Sequence, residues 1–279
     1  MTDVDPKARI VGVFDRAAST YEQTGVEFFT PPGQALVARA GTAAGERVLD
    51  LGCGRGHVLL PAAAAVGPTG EVIGVDLAPS MIAATTHAAR DLPWVRVISG
   101  DADHPGFPDS SFDVVTAGFV VFLLPDPAAA VARWARLLRP GGRLGLSTFA
   151  EETAAAAAFY HDRSAALAPF QVPDPRTEQD IANHGTTARE WVAALFDGTD
   201  LTDVTMAEIT VRSVFPSVDA YWAWWLSVGA RRQLERVPAA HVPAAREAIG
   251  ALLDKHLRQP GGGYRMETGM RLTVARRAD

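Results

Sequence analysis

Between Val48 and Gly56 the sequence reads Val-Leu-Asp-Leu-Gly-Cys-Gly-Arg-Gly, an apolar run that breaks into a glycine-rich turn and leads into an apolar, alanine-rich stretch. That order predicts a strand, a tight loop and a helix N-terminus. Glycine at 52, 54 and 56 removes the Cβ atoms that would forbid positive φ or hold a ligand off the main chain, so a nucleotide-type ligand can lie on exposed N–H groups. A dinucleotide fingerprint has its glycines at relative positions one, three and six. Here the third glycine falls one place early, and His57 stands where it is needed. Asp50, at the strand end, would repel a pyrophosphate but can accept hydrogen bonds from an ammonium-bearing ligand. The cradle suits a cationic ligand better than NAD.

Asp76, 20 residues beyond Gly56, closes a second apolar run, Glu71–Val75, and is placed to accept from ribose hydroxyls at the end of the neighbouring strand. A third run, Val95–Ile98, leads into Gly100-Asp101-Ala102. Together with Phe107-Pro-Asp-Ser-Ser-Phe-Asp113 and Leu138-Arg-Pro-Gly-Gly142, this ordered set resembles the class I S-adenosylmethionine-dependent methyltransferases, in their ubiquinone/menaquinone-biosynthesis-like branch. The resemblance covers about residues 10 to 150 and continues more weakly beyond. It implies S-adenosyl-L-methionine as cofactor, S-adenosyl-L-homocysteine as product, and a Rossmann-like seven-stranded, mostly parallel α/β sheet. Helices cover both faces of that sheet, its last strand is antiparallel, and helical lid insertions are added.

Carried onto this chain, the resemblance makes Asp50, Gly52, Cys53, Gly54 and Gly56 the cradle loop. Asp76 is the ribose ligand, with Leu77 beside it, and Asp101 faces the adenine amino group between Gly100 and Ala102. Met81 lies where the family packs a residue on adenine, though core packing explains it equally. Gly118 and Phe119 border the pocket. The segment Phe14–Tyr21 looks like the part that closes over the cofactor, with Tyr21 near its carboxylate end and near the acceptor; anchoring a terminal helix is the plainer reading of that tyrosine.

The elements that must hold these residues follow from periodicity. Ile10, Phe14, Ala17, Ala18 and Tyr21 recur at three- and four-residue spacing and predict an amphipathic helix over Lys7–Tyr21. Thr30-Pro-Pro starts another helix, and Pro79 opens one that runs to about Arg90. After the cradle, Val58–Val66 is helical, but Pro61 lies beyond the first turn of a helix begun at Gly56, so that helix starts later or kinks. Phe112–Ala117 is a fourth strand that Gly118–Leu124 extends at the carboxyl edge; a helix over Asp126–Leu138 and a strand over Gly142–Thr148 repeat the pattern. Strands alternating with helices predict a mostly parallel sheet.

From residue 151 to 185 the chain is alanine-rich and helical with a proline-containing loop. Thr187–Phe196 is helical, Leu201–Ser213 a strand, 216–258 at least two helices and Tyr264–Arg276 a final strand. We expect one methyltransferase domain over 1–279: closing helices in 1–45, a cofactor core in 46–150, lid insertions at 151–185 and 216–258, and the rest of the sheet in 186–215 and 259–279.

The chain has 279 residues, 48% of them hydrophobic and 21% charged, with net charge −6. This disfavours a disordered protein or a polyanion binder, so nucleic acid is not an expected partner. A lone cysteine, the lack of an apolar leader and the absence of a long apolar run point to the cytoplasm and no membrane span. The oligomeric state stays open, a homodimer being one option.

Asp101-Ala-Asp-His104 offers metal donors, but Asp101 is better explained by adenine and no paired histidine spacing exists, so no metal is expected. No Gly-x-Ser-x-Gly elbow supports a hydrolase, and Cys53 sits in the turn without an evident base. Methyl transfer works largely through orientation, which can supply about 7–11 kcal/mol. No catalytic base is assigned; His161 and His184 are candidates better read as ordinary surface or loop histidines. The expected acceptor is a small, largely apolar or aromatic metabolite, methylated on O, N or C. Tyr221-Trp-Ala-Trp-Trp-Leu226 brings Tyr221, Trp224 and Trp225 onto one helical face, which with Phe119 and Phe122 either lines the acceptor site or packs the lid. Two other readings remain: a protein of the same fold that runs a non-methylating reaction, and a nicotinamide oxidoreductase.

Overall fold

The computed structural model describes residues 6–173 and 188–279. Its strands, in chain order, are β1 (Arg47–Leu51), β2 (Glu71–Asp76), β3 (Val95–Ser99), β4 (Phe112–Gly118), β5 (Leu138–Phe149), β6 (Leu201–Phe215) and β7 (Tyr264–Arg277). They form one sheet in the order β3-β2-β1-β4-β5-β7-β6. The first five pair in parallel, and β7 runs antiparallel to both β5 and β6. Leu49, Leu51, Ile73, Val75, Val114 and Val115 are fully buried, as the unbroken apolar runs of a parallel sheet covered on both faces require. Strand order reverses direction about β1, so the crevice at the carboxyl ends of β1 and β4 is the place where an open α/β sheet takes its ligand.

Two departures from the expected elements have local causes. The helix after the cradle spans Leu59–Val66, so Pro61 falls in its first turn, where a missing N–H costs nothing. Past Gly118 the chain does not continue β4. Phe119 takes φ +59°, which breaks the strand, and Val121–Leu123 forms a single 3-10 turn. The N-terminal helix is Pro6–Ala17, shorter than the spacing predicted, and Tyr21 lies in the turn beyond it.

A second apolar core lies beyond the cofactor-type half of the sheet. The helices Ala154–Leu167, Val218–Ser227 and Val242–His256 pack on the extended ends of β6 and β7, bringing Phe159, Phe215, Tyr221, Trp225, Ile249 and Met270 together. Ser217 caps the tryptophan-rich helix by accepting from the Ala220 N–H at 3.1 Å. Trp225 is fully buried, and its indole N–H donates to the Ala230 carbonyl at 3.2 Å. Removing that ring should destabilise the protein by about 3–5 kcal/mol. Urea unfolding of Trp225→Ala checks this, and an unchanged midpoint would mean that the face is not packed as described.

Candidate functional site

At the carboxyl edge the cradle opens into a cavity of about 850 Å³ that continues under the helices of the second core. Gly52 has φ +64°, and a Cβ there would lie 2.4 Å from Val120, so only glycine lets the chain turn tightly out of β1. Gly54, with φ +50°, has no neighbour closer than 4.0 Å to a Cβ built on it, and its backbone borders open space. Gly52, Cys53, Gly54, Leu77, Met81, Gly100, Ala102 and Gly118 all line the cavity. Gly56 does not: it shapes the loop, its N–H donating to the Cys53 carbonyl at 2.8 Å.

Asp50 is fully buried between strands β2 and β4. Its Oδ1 accepts from the Thr116 hydroxyl at 2.8 Å, while Oδ2 has no hydrogen-bond partner among the described residues. Burial first, then the Asp76 charge, push its carboxyl up to about 7. Asp76 accepts from the N–H groups of Gly54 and Ala78, both at 2.8 Å, one on each oxygen. Each oxygen keeps a second lone pair for a ribose hydroxyl. Burial raises this carboxyl too, against the pull of those backbone bonds.

Asp101 is more encumbered than the sequence suggests. Its Oδ1 accepts from the Asp103 N–H, and its Oδ2 receives the Lys7 ammonium at 2.6 Å. Lys7 also reaches Asp103 at 3.1 Å, and Asp103 is held in turn by Arg133. The N-terminal helix is thus pinned by charge over the far end of the cradle.

Tyr21 borders the cavity, stacked on Phe29 at 5.4 Å and near the His57 ring at 5.6 Å. Beside it is a pair that local spacing did not reveal. The Glu22 carboxylate bonds His57 Nε2 at 2.8 Å and accepts from the backbone N–H groups of Phe28, Phe29 and Thr30 at the start of the Thr30–Arg39 helix. Burial would raise its pKa, but the His57 bond and the other donors hold it at about 2. Glu22 itself sits at φ +53°.

The half of the cavity away from the cradle is aromatic. Phe119, in its left-handed conformation, meets Phe29 and Phe149 with ring centroids 5.0 Å away, and Phe122 meets Phe149 at 5.8 Å. Such strain in a bulky residue is retained where its surroundings over-determine it. Trp224 lines the cavity, and its buried indole N–H has no partner among the described residues. Tyr221 and Trp225, expected in the acceptor site, do not line it: both are fully buried inside the lid, where side chains of Phe215, Phe159 and Arg163 surround them. His161 is exposed and off the cavity, and His184 lies outside the described residues. Phe28, Phe29, Phe149, His57 and Arg163 line the cavity and were missed; His57 directly follows the glycine turn, and the others come from segments whose own pattern signals only packing.

Residues 49–146 match the model of a methyltransferase domain. The chain is 52% identical over 137 residues to nocamycin O-methyltransferase of Saccharothrix syringae, covering 48% of this chain and 49% of that protein. It is 45% identical over 150 residues to aklanonic acid methyltransferase DauC of Streptomyces sp. strain C5, covering 53% of this chain and 68% of that one. The chain belongs to the class I S-adenosylmethionine-dependent methyltransferases. S-adenosylmethionine is the cofactor of this family, and the unpaired Asp50 oxygen beside an open glycine turn fits its cationic methionine end. The solved YcgJ protein of Bacillus subtilis shares the fold, with TM-score 0.60 and 23% identity over 89% of this chain and 99% of that one. The match spans about half the length of the nocamycin enzyme. Among the described residues no group of three or more His, Cys, Asp or Glu side chains is arranged to hold a metal ion, and no helix is long and apolar enough to cross a membrane.

Asp50 links cofactor affinity to pH. Because its folded pKa of about 7 lies above the ordinary 3.8, its stabilising contribution in the ligand-free protein is full below about pH 4 and is lost as pH rises through 7. A cationic ligand favours the carboxylate, so its affinity should rise about tenfold per unit between pH 5 and 6.5 and level off above 7. Titration calorimetry with S-adenosylmethionine checks it, and Asp50→Asn should flatten the profile. In the same assay Asp76→Ala should weaken S-adenosylhomocysteine by about 1–3 kcal/mol.

Proposed function

We propose that the chain transfers a methyl group from S-adenosylmethionine to a small, largely apolar or aromatic metabolite, with oxygen as the accepting atom. The observation that carries this is one continuous cavity joining Asp50, whose Oδ2 has no partner among the described residues, at the glycine turn to the wall of Phe119, Phe122 and Trp224. A cavity of about 850 Å³ lies in the upper part of the range of small-molecule sites, roughly 300–1,000 Å³. The relative's name, nocamycin O-methyltransferase, supports oxygen.

When bound, the cofactor supplies a methyl group on a sulfonium, open to in-line attack. The protein's part is to hold and orient. Asp50 compensates the positive end, Asp76 takes the ribose hydroxyls, Met81 packs on the base and Asp101 accepts from its amino group, which requires Lys7 to share that carboxylate. Tyr21 and His57, fixed by Glu22, close the site at the methionine end. The aromatic wall excludes water and fixes the acceptor's approach, which accounts for most of the rate advantage in such a transfer. Of the expected lid insertions, residues 151–173 and 216–258 border the aromatic end and select the acceptor, while 174–185 lie outside the described residues.

The test is binding and radiolabelled methyl transfer across phenols, aromatic acids, amines and quinone precursors. S-adenosylmethionine and S-adenosylhomocysteine should bind while NAD does not. Product should form undiminished in EDTA. Tight NAD binding without a response to S-adenosylmethionine would sink the reading, and activity restored only by Mg²⁺ would sink its metal-free mechanism.

A further inference from the structure

A guanidinium lies buried in the aromatic half of the cavity with no carboxylate bonded to it among the described residues. Arg163, on the helix Ala154–Leu167, is 9% exposed and lines the cavity. Its Nη1 donates to the Tyr221 hydroxyl at 3.2 Å, and its Nε has no hydrogen-bond partner among the described residues. The plane of the group lies over the Trp225 ring at 4.4 Å and the Tyr160 ring at 4.8 Å. No side chain among the described residues forms a salt bridge with it. Glu152, exposed at the rim, feels its charge, but burial outweighs that influence and leaves the carboxyl raised.

Such a cation is expensive. Three rings, those of Trp225, Tyr160 and Phe159, and one hydroxyl recover part of the lost hydration, yet among the described residues an unpaired charge and an idle Nε remain, where a methionine would fill the same apolar space without penalty. A purely structural role leaves that cost unexplained. A ligand that brings a negative charge removes it, and guanidinium is the side chain whose fork matches a carboxylate.

We propose that Arg163 is the anion-recognition point of the acceptor site, and that the acceptor is an aromatic or polycyclic molecule bearing a carboxylate. This rests on the methyltransferase reading above and narrows its substrate class. The acid is held against the lid by Arg163, with the rings of Tyr160, Phe149 and Trp224 around its apolar body. Tyr221, buried and unsuited to touch ligand, keeps Arg163 in position through its hydroxyl.

The experiment measures binding of 1-naphthoic acid and anthracene-2-carboxylic acid, each against its neutral primary amide, to the full chain saturated with S-adenosylhomocysteine. In the wild-type protein each acid should bind at least tenfold more tightly than its amide. Arg163→Met should abolish that preference while leaving S-adenosylhomocysteine affinity within twofold, and Arg163→Lys should keep part of it. Acids that bind no better than amides to the wild type, or a preference that survives in Arg163→Met, would overturn the proposal. Should Arg163→Met fail to fold, the wild-type comparison together with Arg163→Lys and Tyr221→Phe decides, the latter expected to reduce the preference without removing it. Loss of S-adenosylhomocysteine binding by the wild type would instead strike the methyltransferase reading, so the two failures are separable.

Discussion

The carboxyl of Asp50 sets the terms for the half of the molecule around the cradle. It stands at the end of the central strand, covered on both sides by neighbouring strands, with one oxygen on Thr116 and the other unpaired. Holding it ionised there costs on the order of 4 kcal/mol, judged from the displacement of its pKa from 3.8 to about 7. A sheet that must bury such a group next to a sharp turn needs residues that yield all side-chain space. Gly52 does so against Val120, and Gly33 does so from the other side, where a Cβ would come within 2.1 Å of the His57 carbonyl oxygen. The close approach of the Thr30–Arg39 helix to the cradle follows from that contact. So does the placement of Glu22, whose carboxylate takes the N–H groups at that helix's start and the His57 ring together.

This arrangement ties two parts of the N-terminal region to the cradle by different means. Lys7 reaches across to Asp101, which is partly solvated, and to Asp103, which is buried and held by Arg133 as well, so salt weakens the first contact more than the second. Glu22 is 4% exposed in its side chain and bonded on both oxygens, so breaking its contacts strands a buried carboxylate.

What could be read from the residues alone divides along the same line. The strand–glycine–helix unit, the acidic residues at 76 and 101 and the alternation of strands with helices are local patterns, set by side-chain period and turn chemistry, and they gave the sheet and the cradle loop. Even the misplaced Pro61 resolved itself by a local rule, the tolerance of a first helical turn. The contacts that finish the site are long-range. Lys7 and Asp101 are 94 residues apart and Arg163 and Tyr221 are 58 apart, and nothing in the sequence around either member marks a partner. The tryptophan-rich helix shows the limit in one turn. Periodicity put Tyr221, Trp224 and Trp225 on a common buried face opposite the exposed Asp219 and Ala223, but that face meets protein at two of the three rings, and of the three only Trp224 meets the open space. Period tells which face is apolar; it does not tell whether protein or ligand covers it.

The second core gives that distinction its functional weight. In the cradle half the idle Asp50 Oδ2 is an acceptor that a cationic ligand would use. In the second core two donors idle among the described residues are the Trp224 indole N–H and the Arg163 Nε, set among aromatic rings, and the Thr268 hydroxyl on the cavity wall is idle as well. Burying an unpaired donor costs about 1–3 kcal/mol, more for a charged one, and the aromatic cluster around them has ample apolar area to stand without either. Stability of the lid therefore gives no reason for them, whereas discrimination does. A hydrophobic wall by itself separates acceptors that differ by a methylene only about 10–200-fold, but a site with unsatisfied polar groups rejects, by far larger factors, a molecule that cannot satisfy them. On the proposed reading the aromatic rings set how tightly an acceptor is held, and donors such as these decide which acceptor it is.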